Sequence, residues 1–100
     1  MHIISLKPLR EFWRRHPEAE SALRLWHSLV EHVDFRDFNH VRELFNSADY
    51  VPPYVVFDVA GNNYRVIVVI RYGFKKVFVQ NVMTHREYDE WCKRYRQGKA

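Results

Sequence analysis

Residues 54–84, YVVFDVAGNNYRVIVVIRYGFKKVFVQNVMT, break with the helical period of the chain before them. Three runs within them, YVVFDVA, YRVIVVIR and KVFVQNV, are rich in the β-branched and aromatic residues that suit a pleated, half-buried surface. Only GNN and YGFK separate the runs, and each is short enough for a hairpin turn. Alternation puts Arg65, Ile67, Val69 and Arg71 on one face of the middle strand, and Tyr64, Val66, Val68 and Ile70 on the other. At about 3.3 Å per residue the two arginines stand roughly 20 Å apart, too far to share a phosphate. With YGFK as the turn, Arg71 pairs near Lys76 and Arg65 falls opposite Val82 or Met83. A bulge would move that register by about a residue.

The next signal is a helix start. In NVMTHREYDEW, residues 81–91, Thr84 and Glu87 have the spacing of a capping box, which satisfies two backbone N–H groups reciprocally. A helix is expected over about 85–96, with Gly98 near its end. By the hairpin count, Arg65 and the turn Gly61–Asn63 lie at the same end of the sheet as His85 and Tyr88. Arg71, Lys75 and Lys76 gather at the opposite end.

Upstream, HIIS reads as a short opening strand. Ser5 can cap a first helix of about ten residues with Leu6, Leu9, Phe12 and Trp13 on one face. Pro17 stands where a second helix would begin, and Ala19, Ala22, Leu23, Trp26, Leu29, Val30 and Val33 make its buried stripe. The faces bearing Trp13 and Trp26 are expected in the core rather than in a partner interface. A short helical turn is expected around Val41–Phe45, and SADYVPPYV reads as a loop because of its paired prolines. The fold class is α+β: a short N-terminal strand, two helices packed on a small antiparallel sheet, and a C-terminal helix. Residues 1–100 form one domain without repeats.

Composition narrows the chemistry. With 47% hydrophobic and 16% aromatic residues the chain can build a core. No apolar run approaches the roughly 18–20 residues of a membrane span, and MHIISLKPLREFW lacks an export signal. The single cysteine, Cys92, cannot form an internal disulfide and fits a reducing cytoplasm. His27 and His32 are five apart, off the spacing that aligns two ligands on a helix, so neither a metal nor another cofactor is expected. Residues 1–60 hold 7 Lys and Arg against 9 Asp and Glu, and residues 61–100 hold 9 against 3. The second part is therefore at +6 where the first is at −2, for +4 overall. Such a concentration fits a polyanion, most often nucleic acid. Lys93, Arg94, Arg96 and Lys99 also read as the solvated face of a helix; Arg65 and Arg71, set in an apolar strand, do not.

An imidazole, a guanidinium and a phenol at a helix mouth suit a phosphodiester. His85 can give or take a proton near neutral pH. Arg65 can hold phosphate oxygens and offset charge in the transition state. Tyr88 can stack on a base or donate a proton. RNA brings its own nucleophile in the 2′-OH. Each residue also has a plain reading: His85 as a surface or capping residue, Tyr88 as core beside Trp91 and Tyr95.

GNNYRVIVVIRY followed by KKVFVQNVMTHREYDEW resembles the HigB family of bacterial toxins within the RelE-like superfamily, over about residues 54–91. The opening MHIIS and the helix after it look similar too. The resemblance implies an mRNA interferase that cuts translated mRNA on the 70S ribosome, and a HigA-like helix-turn-helix antitoxin that neutralises it. By position it carries a catalytic role to Arg65, His85 and Tyr88, and RNA binding to Lys76, with Lys75, Arg71, Arg86 and Asn63 beside them. It leaves open which residue is acid and which base. Many members have arginine where this chain has Gln80, so Arg65, Arg86 or Lys76 would have to compensate. The alternative within the superfamily is a ParE-type toxin that inhibits DNA gyrase by protein contact and cuts nothing.

Overall fold

The computed structural model describes residues 1–99. In chain order these are β1 (His2–Ile4), α1 (Lys7–Arg15), a 3-10 turn at Pro17–Ala19, α2 (Glu20–Glu31) and α3 (Phe38–Leu44), then β2 (Asp49–Val51), β3 (Tyr54–Val59) and β4 (Tyr64–Arg71). A second 3-10 turn at Tyr72–Phe74 leads into β5 (Lys76–Thr84) and α4 (His85–Arg96). The five strands form one sheet in the order β1-β5-β4-β3-β2. All neighbours are antiparallel except β1, which runs parallel to β5 with Ile3 opposite Val77. The sheet is thus mixed where a purely antiparallel one is expected, because the opening strand returns alongside the last.

Arg71 lies opposite Lys76, as the YGFK turn dictates, and Arg65 lies opposite Met83, one residue on from the Val82 that an unbroken count gives. A bulge intervenes in β5, since Ile67 faces Asn81 while Val68 faces Val79, which leaves Gln80 unopposed. The extra residue flips the alternation of β5. Val77, Val79 and Val82 therefore all meet the helices α1 and α2, although Val82 is an odd number of residues from the other two.

The sheet separates two cores. On one side Leu9 and Phe12 of α1 and Leu23, Trp26 and Val30 of α2 pack on Val55, Phe57, Val66, Val68 and Val79. On the other, Val56, Ile67 and Met83 bury Trp91 of α4, with Tyr54, Tyr88 and Tyr95 at the margin. The Tyr95 hydroxyl donates to the Pro52 carbonyl at 2.7 Å and ties the end of α4 to the β2–β3 turn.

Three local expectations change. Ser5 does not cap α1: it takes the left-handed conformation (φ 73°) as the chain leaves β1, Leu6 is the N-cap, and no side chain caps the helix. Leu29 is not part of the α2 stripe but 49% exposed, because Leu23, Trp26 and Val30 already line the face toward the sheet. The segment read as a loop contains β2. Val51 pairs directly with Tyr54, so Pro52 and Pro53 occupy the turn outside the ladder, where a missing N–H costs nothing.

Candidate active site

Strand alternation sends Arg65 to the α4 side of the sheet, one strand from where that helix begins. It is the one charged residue among the buried side chains described, 7% exposed. A buried guanidinium is tolerable only when its donors are satisfied and its charge is met. Both conditions hold. Asp58, directly opposite on β3, takes a bond from Nε at 2.9 Å. Nη1 donates to the carbonyls of Asn62 (3.0 Å) and Tyr64 (3.2 Å). Nη2 reaches Asn62 Oδ1 at 3.5 Å and His85 Nδ1 at 3.1 Å.

His85 opens α4, and its place is set by the backbone. The capping box closes as the spacing predicts: Glu87 N–H donates to Thr84 Oγ1 at 3.2 Å, and Thr84 N–H to Glu87 Oε1 at 2.9 Å. The N–H of His85 donates to the Asn63 carbonyl at 3.0 Å, which fastens the helix mouth to the GNN turn. The imidazole is largely exposed, and its Nε2 lies 3.7 Å from Asp89 Oδ2 one helical turn on.

Tyr88 joins the cluster through its ring. It stacks on Trp91 with centroids 5.8 Å apart, and the Arg65 Cζ lies 5.4 Å from its centroid. Burial lifts the Tyr88 phenol well above its ordinary value; Cys92 and then Asp49 add to the shift, and Arg65 opposes it. The hydroxyl therefore keeps its proton at neutral pH and can donate it, while it is a poor base. The ring is packed on Trp91 and the Arg65 guanidinium also lies over it, so a base could stack on Tyr88 only by displacing one of them.

The structure thus brings Arg65, His85, Tyr88 and Asn63 together, with Arg86 exposed beside His85. Arg71, Lys75 and Lys76 are exposed at the far end of β4 and β5, where Lys75 Nζ lies 3.6 Å from Asp34. Gln80 is exposed on the bulge, its amide donating to the Phe78 carbonyl at 3.2 Å. Among the described residues, no three His, Cys, Asp or Glu converge as a metal site, and no helix is long and apolar enough to cross a membrane.

Two members of the cluster escape a reading of the helix mouth alone: Asp58 and Asn62. The turn takes in Ala60 as well as GNN, so Val59 pairs with Tyr64 and Asp58 with Arg65, where a three-residue turn would have set Val59 against Arg65. An isolated aspartate in an apolar strand, facing an isolated arginine, was the available signal.

Residues 19–91 match the family described as HigB_toxin, RelE-like toxic component of a toxin-antitoxin system. Over 102 residues, covering 99% of each chain, the sequence is 36% identical to the mRNA interferase HigB of Escherichia coli O6:H1 (strain CFT073). It is 29% identical over 92 residues to the mRNA interferase toxin HigB of Escherichia coli K12, covering 89% of this chain and 88% of that one. The same figures hold for the mRNA interferase HigB of Shigella flexneri.

Proposed function

The chain belongs to the HigB_toxin family, the RelE-like toxic components of toxin-antitoxin systems, and on that premise we propose that it is an mRNA interferase, an endoribonuclease held in check by an antitoxin. The reaction is an internal transesterification. The 2′-oxygen 5′ of the scissile phosphate attacks in line, its bond to phosphorus forms, and the bond from phosphorus to the 5′-oxygen breaks. The 2′-OH gives up one proton and the leaving oxygen gains one, so the products are a 2′,3′-cyclic phosphate and a 5′-OH. No metal is required.

The observation that carries this reading is the 3.1 Å bond between Arg65 and His85 at the mouth of α4, on the GNN turn. It joins a fixed positive charge to a group able to move protons, in a position open to solvent. Arg65 supplies a preorganised field for the phosphorane charge. Its longest bond, 3.5 Å to Asn62 Oδ1, is the one a phosphate oxygen replaces most readily. His85 handles the proton, and Tyr88, which keeps its own, shapes the wall of the site and can donate. Arg86 and Asn63 flank the phosphate, while Arg71, Lys75 and Lys76 engage RNA farther along the sheet.

We place the reaction in the cytoplasm, on mRNA held by the 70S ribosome and its rRNA, with a HigA-like helix-turn-helix protein as the antitoxin. A ribosome that presents mRNA in a reactive geometry relieves a small enzyme of much of the positioning work.

The test is primer extension on a reporter mRNA after brief induction of wild type and His85→Ala, with folding of both checked by circular dichroism. New 5′ ends with wild type only are expected. Growth arrest by wild type with no new ends would overturn the nuclease reading and direct the search to gyrase.

A further inference from the structure

A guanidinium has only donors. The contact between Arg65 Nη2 and His85 Nδ1, 3.1 Å long, therefore exists only if Nδ1 offers its lone pair. In the neutral ring the proton then sits on Nε2, because the bond made by one ring nitrogen sets the state of the other. We propose that Asp58, acting through Arg65, fixes His85 in the tautomer with its proton on Nε2, and so is a positioning residue for the cleavage reaction. This rests on the nuclease reading above and adds a residue and a polarity to it.

The argument turns on how little freedom Arg65 has. An arginine side chain is long and rotamer-rich, and free in solution it could swing away from an imidazole carrying a proton on Nδ1. Here the Nε–Asp58 bond at 2.9 Å joins residues that face each other across β3 and β4 in the middle of a sheet. The Nη1 bonds to the carbonyls of Asn62 and Tyr64 fix the plane of the fork. With these anchors in place and one N–H of Nη2 turned to Asn62 Oδ1 at 3.5 Å, the other has one direction left, and His85 lies along it. A proton on Nδ1 would then point at an N–H that cannot move aside.

The arrangement assigns His85 its part in the reaction. Nδ1 is engaged, so only Nε2 faces solvent, and it faces it as a donor. The nearest carboxylate, Asp89, lies at 3.7 Å, beyond hydrogen-bond length, so the N–H remains available to a phosphate oxygen. His85 accordingly donates a hydrogen bond to the phosphoryl group as charge builds there, while solvent water takes the 2′-OH proton and supplies one to the leaving 5′-oxygen.

Long-range ¹H–¹⁵N correlation spectra of protein ¹⁵N-labelled at histidine and arginine at about pH 8.5, where an ordinary imidazole is neutral, read the tautomer directly. His85→Ala assigns the resonance. In wild type the spectrum should show His85 with a bare, hydrogen-bonded Nδ1 and a scalar coupling to the Arg65 guanidinium across the bond. Asp58→Asn keeps the size of the side chain but removes the charge that anchors Nε. It should introduce the Nδ1–H tautomer and lower the single-turnover cleavage rate at saturating RNA about 10–100-fold, the range seen when a partner orienting a working histidine is lost. Wild type with Nδ1–H and no coupling would overturn the proposal, and that arm needs no variant to fold. Folded Asp58→Asn with wild-type tautomer and wild-type rate would overturn it as well. If wild type cuts no RNA, the nuclease reading fails, while the spectra still decide whether Asp58 and Arg65 hold the ring.

Discussion

The backbone N–H of His85 and the carbonyl of Asn63 meet at 3.0 Å, so the first turn of α4 hangs from the same loop that anchors Arg65. Two elements distant in sequence thereby share one frame, and a disturbance of either reaches the imidazole.

Thr84→Ala tests that frame from the helix side. It removes the oxygen that takes the Glu87 N–H and leaves one first-turn donor unsatisfied. Stability should fall by about 1 kcal/mol, typical of a missing cap, as measured by urea unfolding. Thr84→Ser, which retains the hydroxyl, should restore most of it. Equal losses in the two variants would mean that the cap contributes nothing.

His85→Ala and Arg65→Ala should separate chemistry from architecture. The exposed His85 carries little packing, so its removal should shift stability by no more than about 0.5 kcal/mol while cleavage falls about 10²–10⁴-fold. Arg65→Ala strips Asp58 of its counter-ion and leaves the Asn62 and Tyr64 carbonyls short of a donor. It should cost about 1–3 kcal/mol as well as activity. Denaturant melts beside single-turnover assays distinguish the two, and a destabilised His85→Ala would contradict the division.

Alkali should weaken the fold through Tyr88. Burial raises its folded-state value, so between the unfolded value near 10 and that higher value the unfolded chain binds fewer protons than the folded one. The stability this supplies is complete below pH ~10 and is lost as pH rises through the folded-state value, at up to about 1.4 kcal/mol per pH unit for one group. Tyr64, raised by burial first and then by Glu18, acts in the same direction. Tyr88→Phe should flatten part of this alkaline slope in melts across pH 8–12, roughly the range over which phenols titrate. An unchanged slope would remove Tyr88 as its source.

The basic end of the sheet should show itself in salt. If Lys75 and Lys76 neutralise RNA phosphates, Lys75→Ala/Lys76→Ala should make the salt dependence of binding to a single-stranded RNA shallower by about 0.7 for each phosphate left without its lysine. Fluorescence anisotropy across a salt series measures it. An identical slope would place the RNA elsewhere on the surface.

Legibility in the sequence followed the length of the connections. YGFK is so short that counting residues sets Arg71 opposite Lys76 and Arg65 opposite Val82 or Met83; the bulge at Gln80, which no count reveals, selects Met83. The capping box is equally local. The parallel pairing of β1 with β5 and the short β2 are different in kind: each rests on tertiary packing that no nearby residue encodes, and a three-residue strand carries almost no periodicity. Ser5 misled because capping residues are also turn residues, and its left-handed conformation serves the turn. The cluster at the helix mouth was visible as a set of residue types. Its internal order, with Arg65 saturated by Asp58 and Asn62 and the Tyr88 ring laid on Trp91, depends on side-chain geometry that spacing does not convey.

The pairing of β1 with β5 also orders events in time. His2 waits for Lys76 and Ile4 for Phe78, and the helix bearing His85 comes later still in the chain. During synthesis the first strand therefore has no neighbour until almost all of the sheet has been made, and pairings so distant in sequence form late. A message broken, or a ribosome halted, anywhere before this stretch releases a fragment lacking both the closing strand and the imidazole.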